Sequence, residues 1–132
     1  MEILLTLHSI VRWVIVLVAF AAIIKFGIGA FSNGAFKPMD RGLSSGFSRL
    51  MDLQVLLGLI YFLWNGFATS AWPAYRFEHL AVMLVATAVA HLPARWKNAP
   101  DKLRFRNALF AVLFALFFVY VGVSVLPEGW AG

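Results

Sequence analysis

The chain has 132 residues, of which 62% are hydrophobic and 13% are charged, whereas charged residues make up about 25% of a soluble domain. This composition excludes an ordinary soluble domain, and it leaves room for about four membrane spans of roughly 20 residues without a separate soluble domain. The net charge of +5 comes from basic residues that stand between apolar segments, and no nucleic-acid-binding motif accompanies them. Nucleic acid is therefore not an expected partner.

The first apolar segment predicts a helix over residues 3–31, which ends at the turn-forming run Ser-Asn-Gly. We interpret it as a retained transmembrane helix, because it lacks the basic start and the cleavage site of a signal peptide. Residues 32–46 contain Lys37-Pro38 and a Ser-Ser-Gly sequence, and they are predicted to form the only sizeable loop.

Three more apolar segments predict helices over residues 47–67, 75–92 and 107–126. The predicted fold class is all-α, an integral membrane four-helix bundle whose helices run up, down, up and down as one domain over residues 1–132. In such a bundle the first and third helices are parallel. Residues near the starts of these two helices are then expected at the same membrane depth.

Basic residues are distributed unevenly among the connections and the adjoining helix ends. The first and third connections carry eight of them, and the second connection carries only Arg76. The positive-inside rule places the first and third connections in the cytoplasm. Both termini are therefore expected outside.

Three histidines occur in this otherwise apolar chain. His8 and His79 stand near the starts of the first and third segments, so their imidazoles are expected to face each other. A metal-capable polar side chain in a membrane is costly unless it has a partner or a function, so the pair is interpreted as a binding site. The most economical site is one haem, whose iron both histidines bind. The alternative is a pair of hydrogen-bonded histidines without a metal.

Any such haem must be held without covalent bonds, because the chain contains no cysteine. Arg12 lies four residues after His8 on the same helix face, where it can meet a haem propionate, pair with Glu78 or extend out of the lipid. Met83 lies four residues after His79 and shares its face.

His91 lies about 18 Å along the helix from His79, so it cannot bind the same iron. It is the less favoured metal ligand, and an interfacial histidine is the preferred interpretation. Asp52 is expected to pair with Arg49, one helical turn away.

One face of the second segment carries polar or small residues, and two interpretations of it stay open. The face can line a haem or quinone pocket, with Gly58 allowing close approach of a ring, or it can supply hydrogen bonds between helices. The four residues are Gln54, Gly58, Tyr61 and Asn65.

A resemblance to a known family is carried, in chain order, by residues 7–13 (LHSIVRW), 52–58 (DLQVLLG) and 78–91, the last of which include Glu78-His79. On these residues the chain resembles small bacterial four-helix membrane proteins that are often described as cytochrome b-like. The resemblance implies a b-type haem with His8 and His79 as its ligands, in a bacterial inner membrane. Larger membrane cytochromes carry a second histidine pair below the first. This chain lacks the fourth histidine, so a single haem is expected.

The expected function is electron transfer, as a subunit or partner of a larger membrane redox complex or as a homo-oligomer, since the chain has no room for a substrate domain. The sequence contains no motif for nucleophilic or acid–base catalysis, so an enzyme is less expected than an electron carrier or an accessory subunit. Two alternatives stay open. One is a cofactor-free accessory subunit of a respiratory or photosynthetic complex, and the other is a small quinone-binding protein.

Overall fold

The computed structural model describes residues 2–131, and this part of the chain is all-helical. The four α-helices are α1 (Glu2–Phe31), α2 (Pro38–Thr69), α3 (Ala74–His91) and α4 (Asp101–Ser124). Short 3-10 helices follow α3 and α4, at Leu92–Trp96 and Gly129–Ala131. Helices α1 and α3 each pack against both α2 and α4.

Helix α2 begins at Pro38, so the prediction of a loop is wrong for residues 38–46. Proline suits the first turn of a helix because its fixed φ is helical and no N–H is left without a partner. Asp40 Oδ2 caps this turn by accepting a hydrogen bond of 2.9 Å from the backbone N–H of Lys37. Tertiary contacts, including an ion pair of 2.7 Å between Asp40 and Lys25, offset the low helix propensity of the Gly and Ser residues that follow.

Helix α4 also begins before its predicted start at residue 107, at Asp101, directly after Pro100. The basic residues at 102, 104 and 106 are therefore helical rather than part of a loop. Their charge predicted that they belong to the third connection. A helix that is longer than the hydrocarbon core of a membrane can, however, carry charged residues in its first turns.

All four helices are long and apolar enough to cross a membrane. Helix α2 has 32 residues, and at about 1.5 Å per residue it is longer than the ~30 Å of a hydrocarbon core. Large apolar side chains such as Leu17, Phe31 and Phe117 are exposed on the outside of the molecule. Such a surface is suited to contact with lipid.

The interior is packed tightly at one end of the molecule and open at the other. Towards the end of α1 and the start of α4, Ala22 and Ala108 are fully buried, and Gly29 leaves space for the Phe105 ring, which a Cβ there would overlap. At the other end lies a cavity of about 530 Å³. The first half of α1, the second half of α2, the start of α3 and the end of α4 line it.

Candidate functional site

His8 and His79 lie together in the cavity wall, with ring centroids 6.4 Å apart and ring planes at 59°. A metal–imidazole nitrogen bond is about 2 Å long and the ring centre lies roughly 1.1 Å beyond the nitrogen, so two imidazoles on opposite sides of one metal have centres about 6.2 Å apart. The angle is compatible with this arrangement, because each axial ring can rotate about the metal–nitrogen bond. The structure thus brings together the two histidines that the sequence predicts to face each other.

The tautomer of His79 follows from its partner on α4. Its Nδ1 lies 2.7 Å from the carbonyl oxygen of Gly122, and a carbonyl can only accept, so Nδ1 carries the proton and donates. The Nε2 atom of the neutral ring is then left with its lone pair. Metal-binding histidines commonly show this pattern, in which the second nitrogen is held by a backbone carbonyl.

Helix α2 supports the His8 side of the cavity. Gln54 Nε2 donates a hydrogen bond of 2.8 Å to the backbone carbonyl of His8, which fixes α1 against α2. A Cβ at Gly58 would lie 3.2 Å from His8 Nε2, so the glycine makes room for the imidazole against α2. Within residues 2–131, the buried Oε1 of Gln54 has no hydrogen-bond partner, which leaves a polar atom available in the cavity wall.

Arg12 lines the cavity one helical turn after His8, as the sequence predicts. It donates a hydrogen bond of 3.3 Å to Ser9 Oγ, and its guanidinium carbon lies 5.1 Å from the ring centroid of Trp13 and 5.8 Å from that of Trp130. Aromatic faces stabilise a guanidinium in this position. Glu78, considered above as a partner for Arg12, is exposed.

Arg76 is a second cation in the cavity wall, and the sequence predictions did not include it as a site residue. It donates a hydrogen bond to Asn65 Oδ1, and its guanidinium carbon lies 5.5 Å from the ring centroid of Tyr61. A sequence signal for this residue existed, since Arg76 precedes His79 by three positions and therefore shares its face of α3.

The polar face of α2 lines the cavity and also makes hydrogen bonds between helices. Gly58 and Tyr61 line the cavity, while Gln54 and Asn65 make hydrogen bonds to other helices. Met83 also lines the cavity, and it packs against Gly122, where a Cβ would lie 2.6 Å from its Cε.

His91 lies away from this site. Its Nε2 is 2.8 Å from Oδ1 of Asp52, so the two side chains join α3 to α2, and both are about half exposed. The partner of Asp52 is therefore a histidine on another helix, in place of the expected Arg49. His91 is not among the residues that line the cavity.

Two imidazoles offer a metal fewer ligands than a zinc site, which takes three or four from the protein. A haem brings four nitrogens of its own and needs only axial ligands. Within residues 2–131, no group of three or more His, Cys, Asp or Glu side chains is placed to hold a metal ion. Two imidazoles match the number of axial ligands that a haem can take from a protein.

No protein-family model, no curated protein and no solved structure matches this chain.

Proposed function

We propose that this protein is a membrane b-type haem protein for electron transfer, in which His8 and His79 are the two axial ligands. The observation that carries the proposal is the 6.4 Å separation of the two ring centroids, inside a cavity of about 530 Å³. This volume lies within the range of about 300–1,000 Å³ that is typical of small-molecule and cofactor sites. Two histidine ligands fill both axial positions of an iron, which favours electron carriage over oxygen chemistry.

The remaining residues of the cavity fit such a cofactor. His79 is oriented by its hydrogen bond to Gly122, and Gly58 leaves room for the His8 imidazole. Arg12 and Arg76 place positive charge in the cavity wall, and this charge would suit the two propionates of a haem. The walls are otherwise mainly apolar, so the chain's own residues would exclude water and would hold the group by packing. When bound, a haem supplies a one-electron iron centre.

A visible spectrum of the protein, purified from cells supplied with haem precursor, tests this proposal. We expect one haem per chain and the sharp reduced-state bands of a low-spin iron with two imidazole ligands. A folded protein without haem under these conditions would overturn the proposal in favour of a cofactor-free accessory subunit. Quinone recovered from such a haem-free protein would favour the quinone-binding alternative instead.

We further propose that the four helices cross a bacterial inner membrane up, down, up and down, with both termini on the periplasmic side. Eight basic residues on the first and third connections and adjoining helix ends, against one on the second, support this orientation. The lipid bilayer is then the main partner. A larger redox complex or a second copy of the chain would supply or receive the electron.

Fusions to alkaline phosphatase, which is active only in the periplasm, test the orientation. A fusion at the C-terminus of the full chain is expected to be active. A matched fusion made after Asn98, which follows the third span, is expected to be inactive, because the basic third connection stays in the cytoplasm. Activity of the Asn98 fusion together with inactivity of the full-length fusion would reverse the orientation.

A further inference from the structure

A second recess, of about 150 Å³, lies between the start of α2 and the start of α4, away from the cavity that contains His8 and His79. Among the residues that the structure describes, three cations and no acidic side chain line it. Its lining residues are Phe36, Lys37, Pro38, Arg41 and Arg104.

Arg104 is held in place within this recess. Its guanidinium carbon lies 4.0 Å from the ring centroid of Phe36, and the Phe36 ring packs edge-on against Phe105, with centroids 4.9 Å apart. Phe105 is itself buried. A guanidinium stacked in this way keeps the N–H groups at its edge free to donate hydrogen bonds to an anion.

Asp40, in the first turn of α2, does not neutralise these cations. Asp40 is fully buried, where its Oδ1 lies 2.7 Å from Lys25 Nζ and its Oδ2 accepts from the backbone N–H of Lys37. The charge of Asp40 is therefore compensated inside the protein by Lys25. The side chains of Lys37, Arg41 and Arg104 keep a net positive charge in the recess.

We propose that this recess binds the phosphate of an anionic phospholipid headgroup. Arginine and lysine donors placed close together suit phosphate, because guanidinium N–H pairs match two of its oxygens and ammonium adds a compact charge. Basic recesses between helices on the positively charged side of a membrane protein are common headgroup sites.

A lipid is favoured over a free anion because exposed apolar side chains stand close in the sequence to the lining residues. Met39 directly follows Pro38 and is 68% exposed, and Phe31, the last residue of α1, is 90% exposed. Acyl chains can cover these side chains while the headgroup occupies the recess. The inference rests on the proposed membrane placement and is independent of haem binding.

Native mass spectrometry of the detergent-purified protein with phosphatidylglycerol or phosphatidylcholine tests the inference. The wild type is expected to retain phosphatidylglycerol in preference to phosphatidylcholine. Arg104→Gln and Arg41→Gln are each expected to weaken that retention about fivefold. The matched control is Arg106→Gln, which removes an exposed cation from the same helix outside the recess and is expected to change retention much less.

Equal losses in all three variants would overturn the proposal, because they would show only a diffuse attraction to basic residues. Wild-type protein that binds inorganic phosphate but retains no phosphatidylglycerol would overturn the choice of a lipid. Arg41 has an exposed side chain, so Arg41→Gln keeps the test valid even if Arg104→Gln disturbs packing on Phe36. Haem absorbance recorded on the same samples separates a failure of this proposal from a failure of the haem proposal.

Discussion

Replacement of His8 by alanine is expected to abolish low-spin haem binding, and replacement of His79 is expected to do the same. Each change removes one of two axial ligands from a site that offers no other imidazole nearby. Loss of a residue that only orients a ligand already costs about 10–100-fold in metal affinity, so loss of a ligand itself should cost at least about 100-fold. Titration of each purified variant with haem, followed by visible absorbance, measures the effect.

His91→Ala is the matched control for this pair, because it removes the third imidazole, which contacts Asp52 away from the cavity. We expect it to keep most of the haem and an unchanged spectrum. Free imidazole added to His79→Ala should restore part of the low-spin spectrum, which a variant that merely misfolds would not show. Loss of haem in His91→Ala alone would refute the pairing of His8 with His79.

Arg12→Leu is expected to lower the reduction potential of the bound haem. Ferric iron carries one more positive charge than ferrous iron, so a nearby cation destabilises the oxidised state. Removal of that cation stabilises the oxidised state and therefore lowers the reduction potential. At a separation of about 8 Å and an effective dielectric constant of ~20, the Coulomb energy between the Arg12 charge and one unit of charge on the iron is about 2 kcal/mol. Screening by ions and protonation of the propionates reduce this energy to a fraction of that value. A redox titration should therefore show a decrease of tens of millivolts.

Arg106→Leu provides the control for this titration, because it removes an exposed cation from α4 outside the cavity. Its midpoint potential is expected to match that of the wild type. A midpoint in Arg12→Leu that is unchanged or raised would show that Arg12 does not act on the haem electrostatically. The cation would then serve only the packing of Trp13 and Trp130 seen in the structure.

The order of the apolar segments was enough to predict that His8 and His79 lie together. In an up-and-down bundle the first and third helices are parallel, so both of them start at the same end of the bundle. The partner of His79 was not predictable in the same way. It is the backbone carbonyl of Gly122, a group that every residue carries and that no residue type signals. The carbonyl reaches the imidazole because of how α4 is rotated about its own axis and how far it is shifted along α3.

Two predictions from local sequence were wrong, because tertiary packing decides the structure at these positions. The glycines and serines of residues 38–46 are typical of a loop, yet contacts of Asp40 and Phe47 with the interior hold them in a helix. Asp52 had a cation one turn away, but its partner is on α3. Sequence spacing identifies neighbours on one helix, whereas the facing residue of another helix depends on how the two are rotated.

Electron paramagnetic resonance of the ferric protein, made with ¹⁵N-labelled histidine, tests the proposed ligation most directly. The proposal predicts a low-spin signal with hyperfine coupling to two histidine nitrogens, and loss of that signal in both His8→Ala and His79→Ala. A high-spin signal, or coupling to a single histidine nitrogen in the wild type, would contradict it.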